Sequence, residues 1–195
     1  MMTRNHIEVN ETLDCTGLAC PMPIVRTKKA MQNMSSGEVL EVQATDKGSL
    51  ADLQAWAKSA GHQYLGTVTE GELLKHFVRK ASPHDVKQEA TYPHTATNEE
   101  LDASLKSGTG NMLLLDVREA AEYAFGHITG AVSIPLGQLE QRLEELPNDR
   151  QLFVICRTGS RSDMACTLLA DKGYANVRNV LPGMSGWTGP VEKLN

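Results

Sequence analysis

The sequence lacks the features that mark membrane-spanning and secreted proteins. No stretch approaches the roughly 18 to 20 consecutive apolar residues that a membrane-spanning helix needs, and residues 1–10 contain no apolar core of a signal peptide. Four cysteines in 195 residues are more naturally free thiols than a disulfide framework. We therefore expect a cytoplasmic protein with no membrane partner.

Dense positive charge and metal-ligand spacing are also missing. The net charge is −5, and residues 1–80 hold nine basic and nine acidic side chains, so the acidic excess lies in residues 81–195. Neither half has the basic face of a protein that binds nucleic acid through phosphates. Cys15 and Cys20 are five residues apart and Cys156 and Cys166 ten apart, unlike the ligand pairs of zinc sites. With no glycine-rich phosphate motif either, we predict neither a metal site nor a cofactor.

What is present fits two small α/β domains. The chain is 41% hydrophobic and 22% charged, which is the ordinary range for a globular protein. Hydrophobic periodicity in residues 7–80 predicts the order β-α-β-α-β-β, with the first strand over 7–14, hence a two-layer sandwich. Residues 81–97 show no sustained periodicity and are predicted to be a linker. Residues 98–195 alternate strands with helices, one of them predicted over 136–145, which is typical of a parallel sheet with helices on both faces.

One cysteine of the second half lies at a strand-to-helix junction. The apolar strand 151–155 ends directly before Cys156, and a polar loop then leads into a helix. Backbone N–H groups at such a junction favour an anion, and a thiolate is favoured there as well. Arg157 and Arg161 add positive charge, and Gly159 lets the loop curl without a Cβ clash.

The second half resembles the rhodanese family of sulfurtransferases across about residues 95–195. The similar segments are Leu115-Asp116-Val117-Arg118-Glu119 with Glu122-Tyr123, Gly126-His127-Ile128 with Gly130-Ala131, Ile134-Pro135, Cys156-Arg157-Thr158-Gly159-Ser160-Arg161, and Gly183-Met184 with Trp187. The resemblance implies that Cys156 is the catalytic cysteine and that residues 157–161 cradle the substrate. The six-residue loop resembles that of the sulfur-handling members rather than that of the related phosphatases. Pro182 departs from the glycine that many members have before Gly183.

Cys20 has a comparable setting near the start of the chain. Pro21 fits the first position of a helix and Pro23 its first turn, so both are predicted to hold the cysteine against the helix N-terminus. We expect its thiol to be more acidic than a free one. The segment Leu13-Asp14, Gly17-Leu18 and Cys20-Pro21 with Pro23 resembles the TusA/SirA sulfur-carrier family across about residues 7–80. The resemblance implies that Cys20 carries a persulfide.

Four further residues have weaker assignments. Cys166 follows the apolar pattern of its helix and is predicted to be a core residue. Cys15 is either a strand-end residue or a resolving thiol that forms a transient disulfide with Cys20. Asp116 and Arg118 follow a buried strand, where an ion pair would support the nearby loop.

These residues predict a sulfane-sulfur transferase. Cys156 would take sulfur from a small anionic donor such as thiosulfate, polysulfide or a low-molecular-weight persulfide, and Cys20 would pass it to an acceptor thiol or protein. One alternative is a sulfur carrier or docking protein with little turnover. Another is a thiol-disulfide reductase that uses Cys15 and Cys20. The sequence does not predict the oligomeric state.

Overall fold

The chain folds into two compact units. The computed structural model describes residues 6–85, 90–108 and 110–194. The first unit ends at Pro83, and the second runs from His84 to Lys193. Each unit has its own sheet and its own apolar core. Within the described ranges no helix is long and apolar enough to cross a membrane.

The first unit has the predicted order of elements. Its elements are β1 (Glu11–Cys15), α1 (Met22–Asn33), β2 (Val39–Ala44), α2 (Ser49–Ser59), β3 (Gln63–Glu70) and β4 (Leu73–Arg79). The sheet order is β1-β2-β4-β3, in which β1 and β2 are parallel and the other pairs antiparallel. The first strand starts at Glu11 rather than at residue 7, and α1 starts one residue later than predicted.

One apolar core joins the two helices to this sheet. The helices contribute Met31, Leu53 and Ala57, Met34 directly follows α1, and the strands contribute Cys15, Leu40, Val42 and Val78. Leu53 and Ala57 are four residues apart, which places them on one face of α2. Two layers therefore enclose the core, with the helices over one face of the sheet.

The second unit alternates strands and helices. Its elements are β5 (Thr95–Thr97), α3 (Asn98–Ser107), β6 (Met112–Asp116), α4 (Ala120–Phe125), β7 (Val132–Ser133), α5 (Leu136–Leu139), β8 (Gln151–Ile155), α6 (Ser160–Asp171) and β9 (Val177–Leu181). The sheet order is β5-β9-β8-β6-β7, and every pairing is parallel. This arrangement confirms the predicted fold class.

Both faces of the second sheet are buried. Leu115 on β6 and Val154 on β8 pack on the side that includes α5 and α6, whereas Leu114 and Phe153 pack on the side that includes α3. Neighbouring strand residues point to opposite faces, so continuous apolar strands are what a doubly covered sheet requires. The carboxyl ends of β6 and β8 lie side by side, since Asp116 pairs with Ile155.

Beyond the first unit, the structure differs from the sequence prediction in the linker and in one helix. Thr91 and Tyr92, placed in the predicted linker 81–97, bind the carboxylate of Asp163, and the last three residues of that segment form β5. The helix predicted over 136–145 is an α-helix only as far as Leu139. It continues as a 3-10 helix to Glu145, with non-helical backbone angles at Arg142.

Candidate functional site

Cys156 lies at the point where β8 ends, in the loop that leads to α6. Its side chain is buried, with 1% of the residue exposed. The backbone N–H of Gly159 donates to Sγ at 3.2 Å, and the hydroxyl of Ser162 lies 3.2 Å from Sγ. A backbone donor directed at the sulfur from a helix N-terminus stabilises negative charge there. The predicted anion-favouring junction is thus present around this thiol.

Ser162 is linked to a second buried polar side chain. Its hydroxyl donates to Asn179 Oδ1 at 2.6 Å, while Asn179 Nδ2 donates to the carbonyl of Gly159 at 3.2 Å. Both residues are fully buried. A hydroxyl has one proton, so while Ser162 donates to Asn179 it offers only a lone pair to Cys156. The thiol form of Cys156 satisfies this arrangement by donating its S–H to Ser162.

Two glycines allow the loop to close tightly. Gly159 has a φ of +99°, and a Cβ there would collide with Leu181. Gly183 has a φ of +86°, and a Cβ there would lie 2.5 Å from the carbonyl oxygen of Cys156. The left-handed region and the close approach both favour glycine. The turn that follows β9 therefore packs directly on the Cys156 loop.

The two arginines of the loop have different environments. Arg157 is exposed, whereas Arg161 is buried and forms two hydrogen bonds with Glu122, at 2.6 and 3.0 Å. Burial lowers the pKa of Arg161, but the bonds and charge of Glu122 outweigh this effect and raise the pKa above its ordinary value. Interaction with Cys156 is a further cause that raises the pKa of Arg161, so the prediction that both arginines line the anion cradle stays a prediction, with the guanidinium of Arg161 held by Glu122.

The remaining loop residues lie beside the cysteine in the chain. Thr158 is half-buried. Ser160 is buried at the first position of α6, and within the described part of the chain its hydroxyl has no hydrogen-bond partner. Their assignment to substrate binding stays a prediction.

Asp116 and Arg118 form the ion pair that the sequence indicates. Arg118 Nη2 lies 2.6 Å from Asp116 Oδ2, and the same nitrogen donates to the carbonyl of Gly126 at 2.8 Å. Both residues are nearly fully buried. Next to this pair, the ring of His127 stacks on Tyr123. The pair ties the end of β6 to the segment after α4, and its supporting role at the site stays a prediction.

Cys20 lies in the loop before α1 and is exposed. Pro21 precedes the helix instead of occupying its first position, and Pro23 is the second helical residue. The loop is held to the end of β2 by a hydrogen bond from the N–H of Gly17 to Thr45 Oγ1, at 2.9 Å. The predicted thiol thus lies at the helix N-terminus, open to solvent.

The expectation of an acidic Cys20 thiol is wrong. A side-chain hydrogen bond with Asp52 raises the pKa of Cys20, and desolvation and the negative charges of Asp52 and Asp46 raise it further. The basic side chains that follow in α1 do not offset these carboxylates. The sequence reasoning missed Asp46 and Asp52 because they come from the β2–α2 segment, far along the chain from Cys20.

The other two cysteines are fully buried. Burial is the main cause that raises the pKa of both thiols, Cys15 at the end of β1 and Cys166 within α6. Each is part of an apolar core, as predicted for Cys166. For Cys15, complete burial favours the strand-end alternative over the resolving thiol. Among the described residues no cluster of side chains suited to a metal ion occurs.

Two family matches cover most of the chain. Residues 11–80 match the family described as Sulfurtransferase TusA, and residues 97–190 match the Rhodanese-like domain. YrkF of Bacillus subtilis (strain 168), whose name provisionally designates it a sulfur carrier protein, is 49% identical over 183 residues. That alignment covers 92% of this chain and 96% of YrkF. The chain belongs to the family of TusA–rhodanese fusion proteins.

Further relatives match one half of this TusA–rhodanese protein. The sulfur carrier protein TusA of Allochromatium vinosum is 42% identical over 74 residues, which cover 38% of this chain and 97% of that protein. A crystal structure of a rhodanese-related protein from Thermoplasma volcanium is 30% identical and has a TM-score of 0.47. It matches 52% of this chain and 99% of that one. The two family matches and the sulfur-carrier relatives indicate sulfur transfer as the general chemistry of the family.

Ser162, Asn179 and Glu122 are the site residues that the sequence reasoning missed. Ser162 directly follows the six-residue loop, so its place in the first turn of α6 is a signal that could have drawn attention to it. Asn179 and Glu122 reach the loop from β9 and α4. Their contacts depend on how these elements pack, which no local pattern shows.

Proposed function

We propose that this TusA–rhodanese protein is a sulfane-sulfur transferase in which Cys156 takes sulfur from a small donor and Cys20 passes it on. The proposed order of the two transfer steps rests on the difference in exposure between the two thiols. Cys156 is 1% exposed, whereas Cys20 is open to solvent. A buried sulfur suits a small donor, and an exposed one suits transfer to another protein. Free cysteines also fit the reducing conditions of the cytoplasm.

The first step is a thiolate substitution at sulfur. The Cys156 thiolate attacks the outer sulfur of thiosulfate, a new S–S bond forms, and sulfite leaves with the electron pair of the broken S–S bond. The product is a Cys156 persulfide. The same balance holds for a polysulfide or a low-molecular-weight persulfide, from which a shorter polysulfide or a thiolate leaves.

The second step repeats this exchange between the two cysteines. The Cys20 thiolate attacks the outer sulfur of the Cys156 persulfide, the S–S bond of that persulfide breaks, and the Cys156 thiolate is regenerated. No net oxidation occurs, so neither step requires a redox partner. A last exchange transfers the sulfur from Cys20 to an acceptor thiol or protein.

The loop around Cys156 supports the first step. The N–H of Gly159 already donates to Sγ, and the Ser162 hydroxyl can turn from Asn179 to donate to an anionic sulfur. Such donors, in place before the reaction, stabilise the charge that develops. The exposed guanidinium of Arg157 is the group of this loop that can attract an anionic donor from solvent.

The proposal is tested by intact-protein mass spectrometry after thiosulfate treatment of the wild type and of the Cys156→Ser and Cys20→Ser variants. We expect the wild type to gain sulfur on both cysteines and the Cys20→Ser variant to gain it on Cys156. The Cys156→Ser variant should stay unloaded. If Cys20 gains sulfur equally well without Cys156, the ordered relay is wrong.

A measurement of turnover distinguishes the carrier alternative from the enzyme proposal. The exposed Cys20 thiol also fits a carrier that accepts sulfur from a partner while the rhodanese-like unit turns over little. Steady-state thiosulfate-to-cyanide transfer distinguishes the two, since no turnover above that of the Cys156→Ser variant would contradict the enzyme proposal. The reductase alternative has less support, because Cys15 is fully buried.

A further inference from the structure

The side-chain amide of Asn179 contacts both residues that bond to the sulfur of Cys156. Its Oδ1 accepts from the Ser162 hydroxyl at 2.6 Å, and its Nδ2 donates to the carbonyl of Gly159 at 3.2 Å. Ser162 Oγ and the backbone nitrogen of Gly159 each lie 3.2 Å from Cys156 Sγ. Asn179 is fully buried and comes from β9, outside the six-residue loop. One buried amide from a neighbouring strand is therefore joined to both hydrogen-bond partners of the sulfur.

The orientation of this amide is fixed by two acceptors. Its Nδ2 faces the carbonyl of Gly159 and, at 3.5 Å, Oδ1 of Asp163. A carbonyl and a carboxylate can only accept, so the nitrogen of the amide must face them and its oxygen must face Ser162. Asp163 is itself held by Thr91, whose N–H and hydroxyl donate to the carboxylate at 3.0 and 2.8 Å, and by the N–H of Tyr92 at 2.9 Å.

This orientation makes Asn179 and Cys156 compete for one proton. Ser162 has a single hydroxyl proton, and the structure gives it two acceptors, Asn179 Oδ1 and the sulfur. A thiolate accepts that proton more strongly than a thiol does, because a hydrogen bond to a charged group is the stronger kind. Ionisation of Cys156 therefore exchanges the bond between Ser162 and Asn179 for a bond between Ser162 and the sulfur.

We propose that Asn179 is a positioning residue for Cys156, which sets how readily the thiol ionises by competing with the sulfur for the Ser162 proton. This inference rests on the proposed role of Cys156 as the thiol that takes sulfur from the donor. With Asn179 in place, the thiolate forms at the cost of one buried hydrogen bond. An apolar side chain of similar size would instead leave the proton of Ser162 free for the sulfur.

The test is the pH titration of Cys156 in the full chain, followed by NMR through the carbon-13 shift of its Cβ in protein with labelled cysteine. The Cys156→Ser variant assigns the signal. In the Asn179→Leu variant the Ser162 proton is free for the sulfur, and we expect the midpoint of the titration to fall by about one pH unit. The Ser162→Ala variant should shift the other way. In that background Asn179→Leu should no longer lower the midpoint, because no proton remains to compete for.

Val180→Ala is the matched control, since Val180 directly follows Asn179 on β9 but packs in the core on the other face of the sheet. Three results would each overturn the inference. They are an unchanged or raised midpoint in folded Asn179→Leu, an equal fall in Val180→Ala, and a fall that persists in the Ser162→Ala background.

A measurement on the wild type keeps the inference testable if Asn179→Leu does not fold. The carbon-13 shift of the Asn179 side-chain carbonyl should follow the same pH midpoint as Cys156, because Oδ1 loses the Ser162 proton when the sulfur ionises. If that shift does not change through the titration of Cys156, the two groups do not compete. Both measurements report ionisation whether or not sulfur is transferred, so failure of the sulfur-loading experiment would leave this result separately readable.

Discussion

At the scale of single residues, the hydrogen bonding of Cys156 depends on the one hydroxyl proton of Ser162, which can be donated either to Asn179 or to the sulfur. Ser162 either donates to Asn179, which suits a protonated thiol, or turns to donate to the sulfur, which suits a thiolate or persulfide. The Gly159 N–H donates to the sulfur in either case. We therefore expect the Ser162 hydroxyl to change its hydrogen-bond partner when the sulfur of Cys156 becomes anionic.

We expect the Ser162→Ala variant to form the Cys156 persulfide more slowly than the wild type. A hydrogen bond to a charged group is worth about 1.5–3 kcal/mol, which corresponds to about a tenfold to hundredfold slower reaction. Quenched-flow mass spectrometry after thiosulfate addition measures this rate. Thr167→Ala is the control, because this exposed hydroxyl on the same helix donates to the backbone carbonyl of Asp163 in its own helix. Equal rates in Ser162→Ala and the wild type would show that the hydroxyl does not serve the reacting sulfur.

The sequence predicted the positions of both thiols but not the charges around them. A strand that ends at a cysteine and a helix that follows are local patterns, and they placed Cys156 and Cys20 at helix starts. The partner of Arg161 is Glu122, 39 positions away, and Asp52 is the main cause that raises the pKa of Cys20. Long-range partners of this kind decide whether a nearby charge acts on the sulfur, and they become known only once the elements have packed.

At the scale of elements, the buried ion pair between Arg161 and Glu122 joins α6 to α4. The pair has side chains that are 6% and 1% exposed, and Glu122 also accepts from the backbone N–H of Glu119 at the start of α4. Both charges are compensated only while both partners are present. The pair thereby fixes the first turn of α6, which carries Ser162.

Replacing the two loop arginines by glutamine should therefore have very different effects on stability. Arg161→Gln leaves the Glu122 carboxylate buried without its partner, and we expect a loss of about 3–5 kcal/mol in the free energy of unfolding. Arg157→Gln changes an exposed side chain and should stay within about 0.5 kcal/mol of the wild type. Urea denaturation of both variants at one pH measures the difference. A loss in Arg161→Gln no larger than that in Arg157→Gln would contradict the assigned role of the pair.

Element prediction succeeded where hydrophobic periodicity was strong. The strands that became β6 and β8 are continuous apolar runs, and both lie at the centre of the second sheet. β5 was missed because it is three residues long and forms an edge strand, with only Ala96 buried. The helix predicted over 136–145 changes type because the backbone at Arg142 leaves the helical region, a local departure that periodicity does not register.

At the scale of the whole molecule, the fusion places two thiols of different exposure on one chain. The backbone N–H of Ala81 donates to His62 Nδ1 in the first unit, and the backbone N–H of Thr91 donates to the carboxylate of Asp163 in the second unit. Residues 91–97 of the predicted linker therefore belong to the second unit. A covalent tether between the units gives one thiol an effective concentration in the range of about 1 mM near the other, provided that the two can meet.

This tether makes the rate of sulfur transfer depend on whether both thiols are on the same chain. We expect the wild type at about 1 µM to load Cys20 at a rate independent of protein concentration, because an effective concentration of about 1 mM exceeds the bulk concentration about a thousandfold. In a mixture of Cys20→Ser, which keeps Cys156, and Cys156→Ser, which keeps Cys20, transfer is bimolecular. Loading of Cys20 in the mixture should be slower than in the wild type by up to that factor and should rise in proportion to concentration. Mass spectrometry at several concentrations distinguishes the two cases. If the mixture loads Cys20 as fast as the wild type, sulfur passes between chains, and the covalent fusion does not account for the relay.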